Sequence, residues 1–465
     1  MAIKQIKRHR WQRQMHLAGA GLKAGLGWAG DQFRILGLPA GEREQARQQL
    51  MAEQAEAWVR SLGELKGSIV KIGQIVATYA DYCLPPPLAA ALHLLEAETE
   101  PLAWRVMAPV IADALAGREQ QLIIEPVPLA AASLSQVHRA RVKADQRSLC
   151  LKVLYPGIAE TVDSDLAVLG TGLQWWLQKD ERDRFAQWLE AISTVLREEL
   201  DLQREAGNLH RWQQRLADDI RYLVPQVADE FCANGILAMT YESGVVQHDE
   251  AVLALPQERR NRLAVNMLEL FLREVLVWGE MQTDPHPGNY RVRLDAGDGD
   301  RIVLLDFGSV REISATLLAP LRQMMLSAYR MDRDGLLDGM MALGLLDSSA
   351  PDSVSQAFAD VLMGLTEPLN YRQRLAADRD SVPANAVDEE GNYCWAAARL
   401  PKRMGKQALQ SAFSQHFRFP GADFLLLSRK LAGVYAFIAA MDARFDAAPV
   451  MEKVISEMAA AQSSS

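Results

Sequence analysis

The segment Asp284-Pro285-His286-Pro287-Gly288-Asn289 is followed, seventeen residues after its Asn, by Asp306-Phe307-Gly308. The second Asp comes at the end of an apolar run, RIVLL (residues 301–305), which predicts the strand that delivers it. In phosphoryl-transfer sites with this spacing, one Asp contacts the acceptor group or a water, while an Asn and an Asp supply oxygen ligands to Mg²⁺ on the nucleotide phosphates. The sequence therefore predicts Asp284 in the first role and Asn289 and Asp306 as metal ligands. A DFG triplet alone would be weak support, but the spaced pair is specific.

His286 stands between two prolines, beside these predicted metal ligands. Because hard Mg²⁺ prefers oxygen ligands, we expect His286 to have a structural role in fixing the loop. The other seven histidines form no cluster with metal-ligand spacing.

Length and composition set broad limits on the protein class. A chain of 465 residues can hold two or three domains, and 49% hydrophobic with 23% charged residues is typical of a folded globular protein. The net charge of −9 argues against the basic surface of a nucleic-acid-binding protein. The cysteines match no zinc spacing, so we expect reduced thiols in a cytosolic compartment. They are Cys83, Cys150, Cys232 and Cys394.

The sequence shows no secretory signal and no segment with the roughly 20 apolar residues that a bilayer crossing needs. Its first thirty residues are basic and contain no acid. Two interpretations stay open: a solvated basic helix, or docking onto an anionic membrane surface. We expect a cytoplasmic protein that can associate peripherally with the inner face of a membrane. The basic residues are Lys4, Lys7, Arg8, Arg10, Arg13 and Lys23.

Hydrophobic periodicity divides the chain into a helical start, a β-rich middle and a helical end. Residues 1–120 are expected to be helical, with apolar spacing at 51–65 and 69–79. After Asp306 we expect only helix and loop, with a polar, mobile stretch at 370–392. The remaining expected elements are strands at 121–127, 133–142, 148–155, 224–232, 235–242, 290–294 and 301–305, and helices at 157–178, 182–216 and 256–281.

This order of elements predicts an α+β fold with the two-lobed architecture of protein kinases, preceded by an N-terminal helical extension. We expect the extension at residues 1–120, an N-lobe at 121–244 and a helical C-lobe at 245–465. The fold prediction uses element order and motif placement together, since either alone would be weak.

A kinase N-lobe needs a Lys on its third strand to hold the nucleotide phosphates. Lys152 fits this role, because it lies inside the apolar run LCLKVLY, where an unpaired cation would be costly. The alternative is a solvent-facing Lys on an edge strand. The apolar neighbours and the downstream motifs favour the phosphate-binding interpretation.

The acidic partner of this Lys should come from the helix that contains REELDLQRE, residues 197–205. At about 100° per residue, Glu198, Asp201 and Glu205 share one helical face, while Glu199 lies about a quarter turn away. Two interpretations remain open: a solvated acidic face that pairs locally with neighbouring arginines, or a buried partner for Lys152.

The loop that covers the phosphates is normally a glycine-rich hairpin. Here it is Ala130-Ala131-Ala132-Ser133, which contains no glycine. Alanine is small enough for close backbone approach but lacks the freedom of glycine at positive φ. This departure argues against an ordinary protein kinase.

Several motifs together give the chain a clear resemblance to the UbiB/AarF-like atypical kinases, a family linked to ubiquinone and isoprenoid-lipid metabolism. Lys71-Ile72-Gly73-Gln74 resembles the KxGQ motif of that family, and Ala130–His138 (AAASLSQVH) resembles its alanine-rich loop. Glu199-Leu200-Asp201 with Glu205 resembles its ExD helix. DPHPGN and DFG resemble its catalytic and metal loops. These motifs stand in the family's order from Lys71 to Gly308.

The resemblance implies a role for each matching residue. Lys152 would grip the phosphates and pair with Glu205, and Asp284 would take the catalytic-loop position. The alanine-rich loop would lie over the nucleotide. Lys71 and Gln74 of the KxGQ motif would reach towards Glu199 and Asp201, closing the cleft where a protein substrate would otherwise dock.

We therefore expect an atypical kinase or ATPase that binds MgATP or MgADP and supports ubiquinone or other isoprenoid-lipid metabolism at a membrane surface. A conventional protein kinase is one alternative, disfavoured by the KxGQ extension and the glycine-free loop. A nucleotide-binding pseudokinase scaffold is another, disfavoured by the intact catalytic set. Expected partners are nucleotide, anionic membrane or isoprenoid lipid, and quinone-biosynthesis proteins, but not nucleic acid.

Overall fold

The computed structural model describes residues 43–463, except 66–71, 74–75, 77–83, 85, 95–100, 133, 175–176, 178, 298, 347–349, 401 and 404–421. The chain forms two compact units: unit 1 comprises Met1–Gly207 and Gln226–Tyr241, and unit 2 comprises Asn208–Pro225 and Glu242–Ser465. Within the described ranges, no helix combines the length and the apolar composition that a bilayer crossing requires.

Unit 1 contains a four-stranded antiparallel sheet in the order β1-β2-β3-β5. The two-residue period of a strand is clear in β3, where buried Leu149, Leu151 and Val153 alternate with less buried Cys150 and Lys152. The predicted antiparallel sheet is therefore confirmed. The strands are β1 (Leu122–Ala131), β2 (Ser135–Val142), β3 (Ser148–Leu154) and β5 (Ile236–Thr240).

In the described part of the chain, three helices precede this sheet and three follow its third strand. Before it come α1 (Arg43–Leu65), α2 (Pro86–His93) and α3 (Trp104–Leu115). After β3 come α4 (Ile158–Gln174), α5 (Lys179–Leu200) and α6 (Leu202–Arg215), the last of which ends in unit 2. The helix expected at 51–65 lies within α1, whereas most of the stretch 69–79 falls outside the described residues.

The single helix expected at 182–216 is in fact two, because the chain leaves the helix at Asp201. The Oδ1 atom of Asp201 accepts a hydrogen bond from the main-chain N–H of Arg204 at 2.9 Å. This is the bond by which an Asp at the N-cap satisfies one of the unpaired donors of a helix start. The sequence prediction missed the break because a capping Asp and a solvated mid-helix Asp look alike.

The long helix expected at 256–281 is correct only in its first part. In unit 2, α7 (Glu250–Leu253) and α8 (Gln257–Leu272) are followed by a π-helical turn, Arg273–Trp278. Gly279, with φ +63°, ends this turn, and a Cβ there would lie 2.7 Å from Leu318. The last residues of the expected helix, after Gly279, therefore belong to a strand, Glu280–Gln282.

Among its described residues, unit 2 contains five short strands, and four of them flank the DPHPGN and DFG segments. One sheet has the order β4-β8-β7 and the other pairs β6 with β9. The strands predicted at 290–294 and 301–305 are confirmed, whereas the prediction of only helix and loop after Asp306 is wrong, because β9 follows the DFG segment. The strands are β4 (Tyr222–Leu223), β6 (Glu280–Gln282), β7 (Tyr290–Arg293), β8 (Arg301–Leu304) and β9 (Val310–Glu312).

The rest of unit 2 is mainly helical. Its helices are α9 (Ala315–Tyr329), α10 (Arg333–Ala342), α11 (Asp352–Leu365), α12 (Glu367–Ala377), α13 (Trp395–Ala398), α14 (Ala422–Ala440) and α15 (Ala448–Ser463). A hydrophobic cluster centred on Met324, Leu336 and Phe358 packs α9, α10 and α11 together.

One further expectation needs correction, and one polar stretch contains regular structure. The stretch expected to be mobile at 370–392 holds most of α12 and a β-bridge between Val387 and Tyr393, whose ring is buried. The strand expected at 224–232 is a single bridge followed by a 3₁₀ turn, Asp229–Phe231. Pro225 has no N–H, so a regular ladder cannot form through it.

Candidate functional site

Lys152 and Glu205 form an ion pair within unit 1. Lys152 lies on β3, opposite Val137 on β2 and Leu237 on β5, and its Nζ atom donates to both carboxylate oxygens of Glu205 at 2.8 Å. The side chain of Glu205, on α6, is only 1% exposed. A carboxylate buried to this degree requires a compensating cation, and Lys152 supplies it.

The alanine-rich segment forms the tip of the β1–β2 hairpin. Ala130 and Ala131 end β1, and the main-chain N–H of Ala132 donates to the carbonyl of Ser135 at 2.8 Å. The carbonyl of buried Leu134 accepts from Tyr155 at 2.9 Å. The tip is thus closed by main-chain hydrogen bonds and presents methyl groups, which permit close approach to its backbone. Ser133 lies outside the described residues.

A buried network of polar side chains on β2 of this hairpin was not predicted from the sequence. Gln136 and His138 of β2 are fully buried, and their side-chain nitrogens lie 2.7 Å apart. His138 Nδ1 lies 2.8 Å from the carbonyl of Glu125, and Gln136 Oε1 accepts from the N–H of Leu102 at 2.9 Å. The network assigns the proton to Nδ1 of a neutral imidazole, and burial lowers the pKa of His138. This network holds β1, β2 and the entry to α3 together.

Of the four residues to which the resemblance gives a role in closing the cleft, the structure describes the two acids. Glu199 is half-buried at the end of α5, and Asp201 is exposed and caps α6. Lys71 and Gln74 lie outside the described residues. The cap on α6 also fixes where Glu205 stands, because Glu205 is in the first turn of that helix.

In unit 2, the sheet topology brings the DPHPGN loop (residues 284–289) next to the DFG segment. The loop connects β6 to β7, and the DFG segment connects β8 to β9; since β6 pairs with β9 and β7 with β8, both ends of the two segments are held together. The N–H of Leu305 also donates to the carbonyl of Asn289 at 3.0 Å, and Thr283 donates to the carbonyl of Ser309.

Asp284 and Asn289 contact each other directly. The Nδ2 atom of Asn289 donates to Oδ2 of Asp284 at 2.8 Å. Within the loop, the Nδ1 atom of His286 accepts from the N–H of Gly288 at 3.0 Å, so His286 fixes the turn as expected. A Cβ at Gly288 would meet that ring nitrogen at 2.7 Å.

The DFG segment is held by its own residues and by α6. Asp306 Oδ1 accepts from the N–H of Gly308 at 2.9 Å, which orients the carboxylate. Asn208 donates to the carbonyl of Phe307 at 2.7 Å, and the buried rings of Phe307 and Trp212 have centroids 5.3 Å apart. These three contacts immobilise the backbone that carries Asp306.

Sequence reasoning missed a buried acid at the start of β6. Glu280 accepts from Arg211 at 2.7 Å and from Arg215 at 2.5 Å. Burial disfavours the charged form of Glu280, but the two arginines hold its pKa below the ordinary value. An acid directly after the apolar run 275–279 was the available signal.

Two basic residues of α14 that contact the DPHPGN loop region were also missed. Arg429 lies 3.2 Å from Oδ1 of Asp284, and Lys430 is fully buried beside Glu274. Their signal in the sequence was a charged pair inside the otherwise apolar segment 424–440.

The donor set fits a hard divalent cation such as Mg²⁺. Because Nδ2 of Asn289 faces Asp284, the amide offers Oδ1 on its other branch, and Asp306 offers a carboxylate of fixed orientation. Among the described residues, no three His, Cys, Asp or Glu side chains gather at one metal position. A metal held by Asn289 and Asp306 would therefore take its remaining ligands from phosphate and water oxygens, as Mg²⁺ does in nucleotide sites.

The chain is similar in sequence to known proteins. The chain is 28% identical over 411 residues to a rat protein named "Atypical kinase COQ8B, mitochondrial", covering 87% of this chain and 73% of the relative. It is 29% identical over 378 residues to the Saccharomyces cerevisiae protein named "Atypical kinase COQ8, mitochondrial", covering 80% of this chain and 72% of the relative.

A solved structure of Rv3197 from Mycobacterium tuberculosis, in complex with erythromycin, has a TM-score of 0.54 and 23% identity to this chain. It covers 89% of this chain and 98% of its own. At this identity the likeness concerns the fold alone, and it supports the predicted kinase-like α+β class.

The family model described as "ABC1 atypical kinase-like domain" matches residues 95–340. This segment is more than half of the 465-residue chain and includes Lys152, Glu205, Asp284, Asn289 and Asp306. The resemblance to the UbiB/AarF-like atypical kinases is thereby confirmed, and the chain belongs to the ABC1 atypical kinase-like family.

Proposed function

We propose that this protein is an atypical kinase or ATPase that binds Mg-nucleotide and transfers the terminal phosphoryl group. The observation that carries the proposal is the direct contact of Asn289 with Asp284 at 2.8 Å, in a loop whose ends are tied by strand pairing to the DFG segment. The residue proposed to contact the acceptor, Asp284, and the two proposed metal ligands, Asn289 and Asp306, are thus carried by segments that the same paired strands hold together.

Within unit 1, Lys152 has the role of holding the nucleotide phosphates. Its ammonium group is oriented by both carboxylate oxygens of Glu205, so it can face a phosphate without first searching for a conformation. The tip formed by Ala130, Ala131 and Ala132 supports this role, since its methyl groups allow phosphate oxygens to approach the main chain. We assign Ser133 to the same loop.

Within unit 2, Asn289 and Asp306 are the proposed metal ligands and Asp284 contacts the acceptor. When bound, Mg²⁺ would neutralise charge on the phosphates and on the transferred group. Asp284 would accept a hydrogen bond from the acceptor hydroxyl or from a water, and Asn289 fixes the rotamer that allows this.

We further propose that residues 1–120 are a regulatory extension, with Lys71 and Gln74 acting on Glu199 and Asp201 to exclude protein substrates. The resemblance to UbiB/AarF-like kinases supports this assignment, as does the glycine-free hairpin tip. The same resemblance supports a role in ubiquinone or other isoprenoid-lipid metabolism. The acid-free basic start supports action at an anionic membrane surface.

ATP turnover with and without liposomes tests this function. We expect magnesium-dependent phosphate release that rises with anionic liposomes and not with zwitterionic ones, because the basic start binds negative surfaces. Removal of residues 1–30 should abolish the response to liposomes. Nucleotide binding without any turnover, in every lipid condition, would indicate a pseudokinase scaffold and contradict the proposal.

A further inference from the structure

Arg429 contacts Asp284, the residue that we propose contacts the phosphoryl acceptor. Its Nη2 atom lies 3.2 Å from Oδ1 of Asp284, while Oδ2 of the same carboxylate accepts from Asn289. Each oxygen of Asp284 therefore has a donor on a different element, one on α14 and one in the DPHPGN loop itself. Two donors from two directions fix the plane of the carboxylate, which one donor alone would leave free to rotate.

Lys430, the next residue of α14, is 1% exposed and holds the strand residues on both sides of the loop. Its Nζ atom lies 3.2 Å from Glu274, 3.2 Å from Oε1 of Gln282 and 3.0 Å from the hydroxyl of Tyr290. Tyr290 in turn donates to Oε1 of Gln282 at 3.0 Å. Gln282 precedes the DPHPGN loop and Tyr290 follows it, so one ammonium group ties the two ends.

This network reaches the main chain of the loop. The Nε2 atom of Gln282 donates to the carbonyl of Asp284 at 2.8 Å, and Glu274 accepts from the main-chain N–H of Gln282 at 3.2 Å. Burial raises the pKa of Glu274 to about 7. Burial also opposes the charged form of Lys430, but Glu274 and Tyr290 together outweigh it and raise the pKa of Lys430 above its ordinary value. The cation thus remains charged at the centre of the network.

Helix α14 approaches the loop closely at Gly433. An ideal Cβ on Gly433 would lie 2.1 Å from Cβ of Pro285, so only glycine permits this approach. One turn further on, Phe437 meets the ring of Tyr290 edge-on, with centroids 5.8 Å apart. Residues 429, 433 and 437 share one helical face, and that face is seated on the loop.

We propose that Arg429 and Lys430 are positioning residues for phosphoryl transfer, Arg429 through the carboxylate of Asp284 and Lys430 through Gln282 and Tyr290. Helix α14 (Ala422–Ala440) lies beyond residues 95–340, which match the family model, so the loop depends on a helix outside that segment. The inference deepens the proposed function and rests on it.

Variants at Arg429 test the first half of the proposal. Arg429→Met should lower the turnover of MgATP about tenfold or more while leaving MgADP affinity within about twofold, because the acceptor group and not the nucleotide site is disturbed. Arg429→Lys retains a cation and should recover part of the lost turnover. Arg372→Met is the control, since Arg372 forms a partly exposed ion pair with Asp446 in the same unit and, among the described residues, bonds to neither the DPHPGN loop nor the DFG segment.

A double variant tests Lys430 without stranding a buried charge. Lys430→Met with Glu274→Gln removes both charges and keeps an acceptor for the N–H of Gln282. We expect thermal stability close to native but lower turnover, because the ammonium group that bridges Gln282 and Tyr290 is then missing and only their direct hydrogen bond remains. Deuterium uptake at residues 283–290, measured by mass spectrometry, should rise in this variant and in Arg429→Met, and not in Arg372→Met.

The two readouts separate the inference from the function on which it rests. A native chain with no MgATP turnover would contradict the proposed function, and deuterium uptake would then decide the positioning role alone. Native-like uptake at residues 283–290 in Arg429→Met and in the double variant would overturn the inference. An equal loss of turnover in Arg372→Met would also overturn it, because the loss would then be a general effect of destabilisation.

Discussion

The Nζ atom of Lys152 lies 2.8 Å from each carboxylate oxygen of Glu205, and Glu205 is 1% exposed. Two equal contacts hold the ammonium group on the axis of the carboxylate. The side chain of Lys152 is itself 14% exposed, so one side of the pair is accessible. The arrangement suits a cation that is shared between a fixed internal acid and a bound anion.

The first prediction concerns this pair. Lys152→Met should destabilise the protein by about 3 kcal/mol, because it leaves the buried carboxylate of Glu205 without its cation. The double variant Lys152→Met with Glu205→Leu should recover most of that stability but no affinity for MgADP. Denaturant unfolding and calorimetric titration measure the two effects. As a control, Arg147→Met removes a solvent-exposed ion pair with Glu230 and should change both quantities little. Undiminished MgADP affinity in the double variant would show that Lys152 has only a structural role.

The second prediction concerns the metal. Asp306→Asn should greatly reduce the thermal stabilisation by MgADP while leaving the unliganded melting temperature near native. The reason is that the amide is a weaker ligand for a hard cation, whereas it can still accept the hydrogen bond from Gly308. A native-sized stabilisation of this variant by MgADP would place the metal on other residues.

The third prediction separates two roles of Asp201. Asp201→Ala should cost about 1 kcal/mol of unfolding free energy, because it removes the N-cap of α6. Asp201→Asn retains an oxygen for the N–H of Arg204 and should keep most of that stability. If the carboxylate also acts in gating, as the resemblance implies, the Asn variant should alter ATP turnover despite its native-like stability. Equal stability of the Ala and Asn variants would show that the cap contributes little.

The fourth prediction concerns pH. Burial lowers the pKa of His138 below 6.5, the ordinary pKa of a histidine. Just below pH 6.5 the unfolded chain therefore binds more protons than the folded chain. The contribution of His138 is therefore present above pH 6.5 and is lost as the pH falls through the folded-state pKa. His138→Gln should flatten the pH dependence of unfolding free energy below pH 6.5. A variant whose profile keeps the native slope in that range would contradict the neutral buried imidazole.

Much of the fold follows from local sequence patterns. Strand β3 was predictable because Leu149, Leu151 and Val153 alternate with less buried residues, and β8 because three of its four residues are apolar and buried. Helix ends were less predictable, since they depend on single residues. Asp201 breaks one expected helix by capping the next, and Gly279 ends another at positive φ.

The sequence motifs suggest the residues of the candidate site but not the residues that support them. Roles for Lys152, Asp284 and Asp306 could be proposed because their neighbours in sequence suggest them. Roles for Glu280, Arg429 and Lys430 could not, because each has its partners far away in the chain. Burial and long-range contact decide such roles, and a pattern of nearby residues does not encode them.

The most direct test of the account is the rate of phosphate release from MgATP by the native chain and by Asp284→Asn, with MgADP affinity measured for both. We predict magnesium-dependent release by the native chain. Release should be slowed about 100-fold or more in Asp284→Asn, because the variant lacks the carboxylate that accepts the hydrogen bond of the attacking water. MgADP affinity should stay within about threefold, since the proposed metal ligands are intact. Equal rates in the two proteins, or a native chain that binds no Mg-nucleotide, would contradict the account.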